Sequence, residues 1–207
     1  MEQRTRTRGR PSGLTGEELI AAAREVFLEK GYSGASMDEV ARRARVSKSS
    51  LYREHPSKDA LYAAVVHHWA LAGRDAMSGP LAALVSSSDV RAGLIELAET
   101  MRRGILSAPV LEMRRLVTSE AVSQPDVARS YLEESWNTNI RNLATAMRRL
   151  AADGRLRVSD SEADAAAEQF TWLVIGAPLN AQLLGGEGSG PSASDAVDVF
   201  LARYRTA

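Results

Sequence analysis

Apolar residues recur every three or four positions along almost the whole chain, and this spacing is what most restricts its fold. The clearest stripe predicts a helix over residues 125–153, with one face formed by Val127, Tyr131, Leu132, Trp136, Ile140, Leu143, Met147 and Leu150. Similar spacing predicts helices over about 90–107, 109–122, 162–185 and 193–205. The alternating pattern of strands and the two-residue turns of hairpins are missing from the sequence. We therefore predict an all-α protein of about nine helices.

The first sixty residues contain shorter helices with clear start and stop signals. Thr15 and Glu18 form a capping box that opens a helix, and Gly31 ends it. Ser36 opens a short second helix, and Ser47 opens a third. Two short helices joined by about three residues, the second entered through a serine cap, predict a helix-turn-helix unit.

This helix-turn-helix unit, at about residues 36–55, is rich in basic side chains. Its second helix would place N-terminal side chains in the major groove of DNA. The basic residues around it are Arg42, Arg43, Arg45, Lys48, Arg53 and Lys58. Two interpretations stay open from the pattern alone: a DNA-binding surface, or a three-helix unit whose charges form a solvated face.

Charge is distributed unevenly, although the 26 basic and 26 acidic residues of the 207-residue chain cancel. Residues 1–58 carry 12 basic and 8 acidic side chains, and residues 59–207 carry 14 and 18. The net charges are thus +4 and −4. A basic end joined to an acidic body is typical of a chain in which one part binds a polyanion.

The composition argues against catalysis and metal binding. The chain has no cysteine, which excludes disulfides, Cys-ligated zinc and iron–sulfur clusters. It shows no nucleophile with a matched His and Asp, and no phosphate-binding glycine loop. His67 and His68 would point about 100° apart on a helix, so we interpret them as structural or pocket-lining residues. We predict that the protein is not an enzyme and has no cofactor or metal.

Targeting and membrane signals are also missing from the sequence. The N-terminal segment is basic but lacks the apolar core of a signal peptide. Residues 169–186 are uncharged, at the lower length limit of a membrane span, but contain Pro178, Asn180 and Gln182. We interpret them as a buried or interface helix and predict a cytoplasmic protein with no membrane partner.

Residues 19–65 resemble the DNA-binding domain of the TetR family of transcriptional regulators. The resemblance rests on Ala22-Ala23, Val26-Phe27, Lys30-Gly31-Tyr32, Ser36 to Ala41, Val46-Ser47-Lys48, Leu51-Tyr52-Arg53 and Pro56 to Leu61. The segment from about Met113 to Gly185 resembles the AefR-like type of C-terminal domain. Residues 1–14 are polar and Arg-rich and contain Gly and Pro, which predicts a flexible basic arm. The resemblance implies a DNA-binding domain (15–62) and a helical effector-binding and dimerisation domain (63–207).

The resemblance also implies roles for individual residues. Lys48, Ser49 and Ser50 would touch base edges and nearby phosphates, while Ser36, Tyr52 and Lys58 would contact the phosphate backbone. The complete set of predicted DNA contacts is Arg8, Arg10, Ser36, Arg45, Ser47, Lys48, Ser49, Ser50, Tyr52, Arg53 and Lys58.

Three positions depart from the family pattern. Arg45 stands where a turn glycine is usual, which predicts a positive φ at a non-glycine residue. Glu54 replaces the usual His, and His55 replaces the usual Phe. These changes are compatible with neutral drift, in which Glu54 pairs with Arg53 or Lys58. They are also compatible with altered or lost DNA affinity.

The arm contains a second candidate DNA contact. Arg8-Gly9-Arg10-Pro11 resembles an AT-hook core, in which arginines enter a narrow minor groove. The alternative is an Arg-rich tail that does not touch the groove.

In the second domain the resemblance implies an effector pocket between the middle helices. Its predicted residues are Met101, Ile105, Trp136, Asn139, Ile140 and Trp172, each of which could equally serve core packing. The last two helices would form a homodimer interface through Phe170, Leu173, Val174, Leu179, Phe200 and Leu201. A dimer also follows from DNA geometry, since two recognition helices must reach major grooves about 34 Å apart.

We therefore predict a homodimeric transcriptional regulator that binds a palindromic DNA operator. Its most natural role is that of a repressor released by an apolar or amphipathic small molecule. The alternative is a ligand-binding or protein-interaction protein that has lost DNA recognition through Arg45, Glu54 and His55.

Overall fold

A computed structural model describes residues 16–188 and 190–206. All regular secondary structure within these two ranges is helical, which confirms the predicted all-α class. The proposed arm (1–14), its candidate contacts Arg8 and Arg10, and the capping residue Thr15 lie outside the described residues.

The chain forms two compact units that divide after Val65. The first unit contains α1 (Gly16–Gly34), α2 (Met37–Arg43), α3 (Lys48–Glu54) and the first turns of α4 (Lys58–Asp75). Gly31 breaks the regular geometry of α1 with φ 67°, at the position where the sequence predicts the helix end.

Aromatic residues form the centre of this first unit. Phe27 is fully buried, and its ring meets Tyr62 of α4 edge-on at 5.4 Å between centroids. Leu51 is the buried residue of α3, which fixes the short helix against this core. The core therefore decides which face of α3 is left exposed.

The predicted serine caps of α2 and α3 are confirmed. Ser36 Oγ accepts a hydrogen bond from the Glu39 amide at 3.2 Å, and Ser47 Oγ accepts one from the Ser50 amide at 3.1 Å. A cap of this kind stabilises a helix by about 1 kcal/mol. That is a large contribution for helices of seven residues.

The second unit starts within α4 and contains α5 (Ser78–Ser86), α6 (Val90–Ile105), α7 (Ala108–Ser119), α8 (Pro125–Tyr131), a π-helical turn (Leu132–Asn137), α9 (Thr138–Ala152), α10 (Ala163–Leu183) and α11 (Ala193–Tyr204). Helix α10 packs against α6, α9 and α11. Each predicted helix has a counterpart in the structure. None of the helices within the described ranges has the length and apolar character needed to cross a membrane.

Two features of the second unit differ from the sequence prediction. Gly79-Pro80, a dipeptide that in a sequence usually marks a turn, lies in the first turn of α5, where a proline costs no helical hydrogen bond. The predicted helix 125–153 is continuous but widens into the π turn, which changes its angular register. As a result Leu132, predicted to face inward, is 50% exposed.

The predicted dimer interface on α10 and α11 needs correction. Phe170, Val174, Leu179, Phe200 and Leu201 are all buried within the core of the second unit. The rings of Phe170 and Phe200 meet at 5.1 Å between centroids. Other residues of the same protomer cover these five side chains, so they are not available to a second copy. Of the six predicted residues, Leu173 is exposed, at 37%.

Candidate nucleic-acid interface and ligand cavity

The exposed face of α3 carries most of the predicted DNA contacts. Lys48 and Ser49 are followed four positions later by Tyr52 and Arg53, so the two pairs share one side of the helix, and all four side chains are exposed. Tyr52 is an uncommon exposed aromatic, at 47%. Ser50 instead turns toward the cap, where its hydroxyl contacts Ser47 Oγ at 2.9 Å.

Ion pairs occupy much of the predicted basic surface. Lys48 Nζ lies 2.6 Å from a carboxylate oxygen of Asp38. Arg42 pairs with Glu39 at 2.5 Å, and the Arg42 guanidinium holds the pKa of Glu39 below its usual value. Exposed ion pairs of this kind add little to stability, so a phosphate group could displace the carboxylate from the basic side chain.

Arg43 of α2 forms an ion pair with α1, which holds its side chain between the two helices. Its guanidinium donates to both carboxylate oxygens of Glu29, at 2.6 and 2.7 Å, and this lowers the pKa of Glu29. By contrast, Arg45 and Arg53 form no ion pair within residues 16–188 and 190–206. Among the predicted DNA contacts, Arg45 and Arg53 therefore carry charges without an ion pair in the described residues, and Lys48 would join them once it leaves Asp38.

Arg45 adopts the positive φ that its position predicts, with φ 55°. It lies just after α2, where the amide of Val46 bonds back to the Ala41 carbonyl at 3.0 Å and closes the helix end. A non-glycine residue pays about 1–2 kcal/mol for this left-handed conformation. Arg45 therefore combines backbone strain with an exposed charge.

Replacing Arg45 with glycine separates these two properties. We expect R45G to raise the free energy of unfolding by up to about 1 kcal/mol, because glycine adopts this φ without strain but gains freedom when unfolded. We also expect DNA affinity to fall, because one phosphate-facing cation is lost. Thermal melting and DNA titration of the same sample measure both effects. If R45G melts lower than the parent, the turn is not strained by the arginine.

Lys58, a predicted phosphate contact, also has a role inside the protomer. Its ammonium donates to the carbonyls of Tyr32 and Ala35, at 2.9 and 3.2 Å, and lies 4.5 Å from the centre of the Tyr32 ring. These bonds satisfy carbonyls at the end of α1. Lys58 thus links the start of α4 to the end of α1, and its ammonium is already hydrogen-bonded in the DNA-free chain.

The two other departures from the family pattern are accommodated locally. His55 caps the C-terminus of α3, where its amide bonds to the Leu51 carbonyl at 2.8 Å. Glu54 is exposed, and it makes neither predicted ion pair, with Arg53 or with Lys58, in the described part of the chain. An unneutralised carboxylate thus stands next to the exposed face of α3.

The second unit encloses a cavity of about 320 Å³, within the size range of small-molecule pockets. Residues of α4, α6, α7, α9 and the π turn form its walls. Five of the six predicted pocket residues line it: Met101, Ile105, Trp136, Asn139 and Ile140. Trp172 does not; it is exposed to solvent, and its ring meets that of Trp136 at a tilt, with 5.4 Å between centroids.

Polar cavity residues were missed by the sequence prediction. Arg114 of α7 lines the cavity, with its guanidinium 4.7 Å from the centre of the Trp136 ring. Tyr131 lies beside it; burial raises the pKa of this phenol, and the nearby Arg114 opposes the shift. Arg114 is one of many arginines in the sequence, and only the packing of α7 against α8 brings it to this wall.

The histidine pair has no metal-binding arrangement. His67 Nδ1 lies 2.6 Å from a carboxylate oxygen of Glu134 in the π turn. His68 is exposed, and neither histidine lines the cavity. The residues that the structure describes contain no cluster of three or more His, Asp or Glu side chains placed to hold a metal.

Comparison with solved structures shows the same architecture over nearly the whole chain. A TetR-family transcriptional regulator from Mesorhizobium loti is 26% identical, with a TM-score of 0.86, and the match covers 92% of this chain and 96% of that one. A structure named flavonoid-responsive regulator FrrA is 27% identical, with a TM-score of 0.72, over 91% and 96% of the two chains.

Curated relatives match more locally. The transcriptional activator FasR of Mycolicibacterium smegmatis is 35% identical over 111 residues. This alignment covers 54% of the present chain and spans about half the length of that relative, at 49%.

Family models match both units. Residues 19–65 match the model described as bacterial regulatory proteins of the tetR family. Residues 92–206, more than half of the chain, match the model described as the C-terminal domain of AefR-like transcriptional repressors. With the fold and the helix-turn-helix geometry above, these matches show that the chain belongs to the TetR family of bacterial transcriptional regulators.

Proposed function

We propose that the protein is a sequence-specific DNA-binding regulator that acts as a homodimeric repressor, released from a palindromic operator by a small molecule. Residues 15–62 would bind DNA, and residues 63–207 would bind the effector and the second subunit. We propose no catalytic role for it.

One observation carries this proposal: α4 runs without a break from Lys58 to Asp75. Its first turns contribute Leu61 and Tyr62 to the buried core of the helix-turn-helix unit. Its last turns supply Trp69, Ala72 and Gly73 to the wall of the cavity. A molecule that enters the cavity would therefore contact the same helix that contributes to the core of the DNA-binding unit.

The relatives support this choice by what their names state. FrrA is named as flavonoid-responsive, which supports a small-molecule effector here. The C-terminal family model is described as a transcriptional repressor, whereas FasR is named as an activator. We choose repression because the repressor model matches the larger share of this chain.

The proposed mechanism is a shift between two populations. In one state the two recognition helices have the spacing of successive major grooves, about 34 Å. The effector binds the other state more tightly, because a ligand with equal affinity for both would shift nothing. Filling the cavity wall on α4 would supply this difference in affinity.

A DNA titration tests the proposal directly. The full chain is mixed with its own upstream DNA, at low and at physiological salt, and complex formation is followed by fluorescence anisotropy. We expect tight binding that exceeds binding to a shuffled sequence at least 1,000-fold, the usual ratio for specific recognition. Failure to bind at low salt would instead favour a protein that has lost DNA recognition.

The subunit interface is tested at Leu173, the exposed member of the predicted set. We expect L173E to convert a dimer into a monomer on sizing, because it places a charge on an apolar surface beside exposed Trp172. Val122→Glu is the matched control, since Val122 is 95% exposed and belongs to neither α10 nor α11. A dimer that persists in L173E places the interface elsewhere.

A further inference from the structure

The charge of Arg114 lacks a counter-ion inside the second unit. Its guanidinium lies over Trp136 at the cavity wall, and no Asp or Glu of the described ranges forms an ion pair with it. The cation–π contact offsets part of the cost of removing the charge from water. A partly buried cation at an apolar cavity still favours a negative partner strongly.

Two buried polar atoms at the same wall also lack a partner. These are Nε of Arg114 and Oδ1 of Asn139, both shielded from solvent and without a hydrogen bond among residues 16–188 and 190–206. Both residues line the cavity, whose remaining walls are largely apolar, as at Met101 and Leu143. Buried polar groups in proteins are nearly always paired, so this end of the cavity is built for polar groups of a ligand.

Tyr131 completes the polar end. Burial raises the pKa of its phenol, so the hydroxyl stays protonated at neutral pH and can donate a hydrogen bond. A guanidinium and a phenol side by side offer only donors to an incoming group, apart from the phenol lone pairs. Two adjacent donors, one of them cationic, match a carboxylate, which accepts from arginine in a bidentate fork.

We propose that the cavity binds an amphipathic carboxylic acid as its anion, with the carboxylate on Arg114 and Tyr131 and an apolar body against Met101, Ile105 and Ile140. This inference rests on the proposed function only in taking the cavity for the effector site. Asn139 Oδ1 would accept a second hydrogen bond, from a hydroxyl or amide group of the same ligand.

The test compares two probes that share one apolar body and differ in the head group, an anionic carboxylate or a neutral amide. The full chain is titrated by calorimetry with 2-naphthoate and with 2-naphthamide, and a second pair, decanoate and decanamide, replaces the aromatic body with an alkyl chain. We expect at least one of the two acids to bind at least 20-fold more tightly than its amide. Arg114→Met should abolish this preference, with acid and amide binding within about twofold of each other.

Two further variants make the outcome decisive. Arg103→Met removes an exposed arginine of α6 that does not line the cavity, and it should keep the full preference. Arg114→Lys keeps the charge but loses the planar fork, and it should retain a reduced preference of several-fold. If Arg114→Met does not fold, the acid and amide affinities of Arg114→Lys test the role of Arg114 in its place.

The proposal is overturned if acid and amide bind equally to the parent protein, if the Arg114 variants keep the full preference, or if neither acid binds at 1 mM. Release of DNA is scored separately in the anisotropy assay. An acid that binds through Arg114 yet leaves the DNA complex intact would confirm the ligand class and reject the repressor mechanism.

Discussion

Replacing Phe170 with alanine is expected to lower the free energy of unfolding by about 3–5 kcal/mol, the usual cost of deleting a buried aromatic ring. Phe170 is fully buried on α10, and its ring meets that of Phe200 edge-on at 5.1 Å. The loss combines missing apolar burial with a cavity that helices α9, α10 and α11 cannot close. Thermal melting at fixed protein concentration measures the effect.

Trp172→Ala, two residues away on the same helix, is the matched control. Trp172 is exposed and its ring meets that of Trp136 at a tilt, so we expect a loss of about 1 kcal/mol. If Phe170→Ala leaves stability unchanged but dissociates the dimer, Phe170 belongs to the subunit interface after all. A small and concentration-independent loss for both variants would contradict the packing of α10.

Replacing Lys48 with alanine should weaken operator binding roughly 100-fold at physiological salt. A hydrogen bond to a charged group contributes about 1.5 kcal/mol, and a symmetric dimer loses one such contact at each half-site. The slope of log affinity against log salt should fall by about 2, since about one counter-ion is released per contact. Anisotropy titrations at four salt concentrations measure both quantities.

Asp38→Asn tests the competing ion pair of Lys48. Asp38 holds the ammonium at 2.6 Å in the DNA-free chain. Its removal frees the lysine and takes a negative charge away from the phosphates, so we expect unchanged or tighter binding. Equal affinity for parent and Lys48→Ala would remove Lys48 from the interface. Weaker binding by Asp38→Asn would instead mean that Asp38 orients the lysine for DNA.

The helix-turn-helix unit shows how far local sequence determines structure. Ser36 and Ser47 cap their helices as predicted, and Arg45 takes the positive φ that its turn position requires. Each of these outcomes depends on hydrogen bonds that span three to five residues, so the local sequence contains the information needed. Lys58 instead donates to carbonyls about 25 positions earlier, and local sequence does not predict these contacts.

The second unit shows the opposite case. The apolar spacing of α10 predicts a buried stripe, but it does not say whether the covering surface is another helix of the same chain or a second copy. The structure places Phe170 and Val174 inside the protomer and leaves Leu173 outside. Similarly, the single stripe predicted over 125–153 assumes a constant helical period, which the π turn at Leu132–Asn137 interrupts.

The sequence by itself determined the all-α class, the helix-turn-helix unit and its serine caps, and the resemblance to the TetR family indicated the five predicted residues that line the cavity. Helical periodicity, capping and the turn geometry are short-range properties. Only the tertiary structure decided that Lys58 binds α1, that Phe170 fills the protomer core and that Arg114 reaches the cavity. Each of these depends on which distant helix supplies the neighbouring atoms, and a one-dimensional pattern does not contain that information.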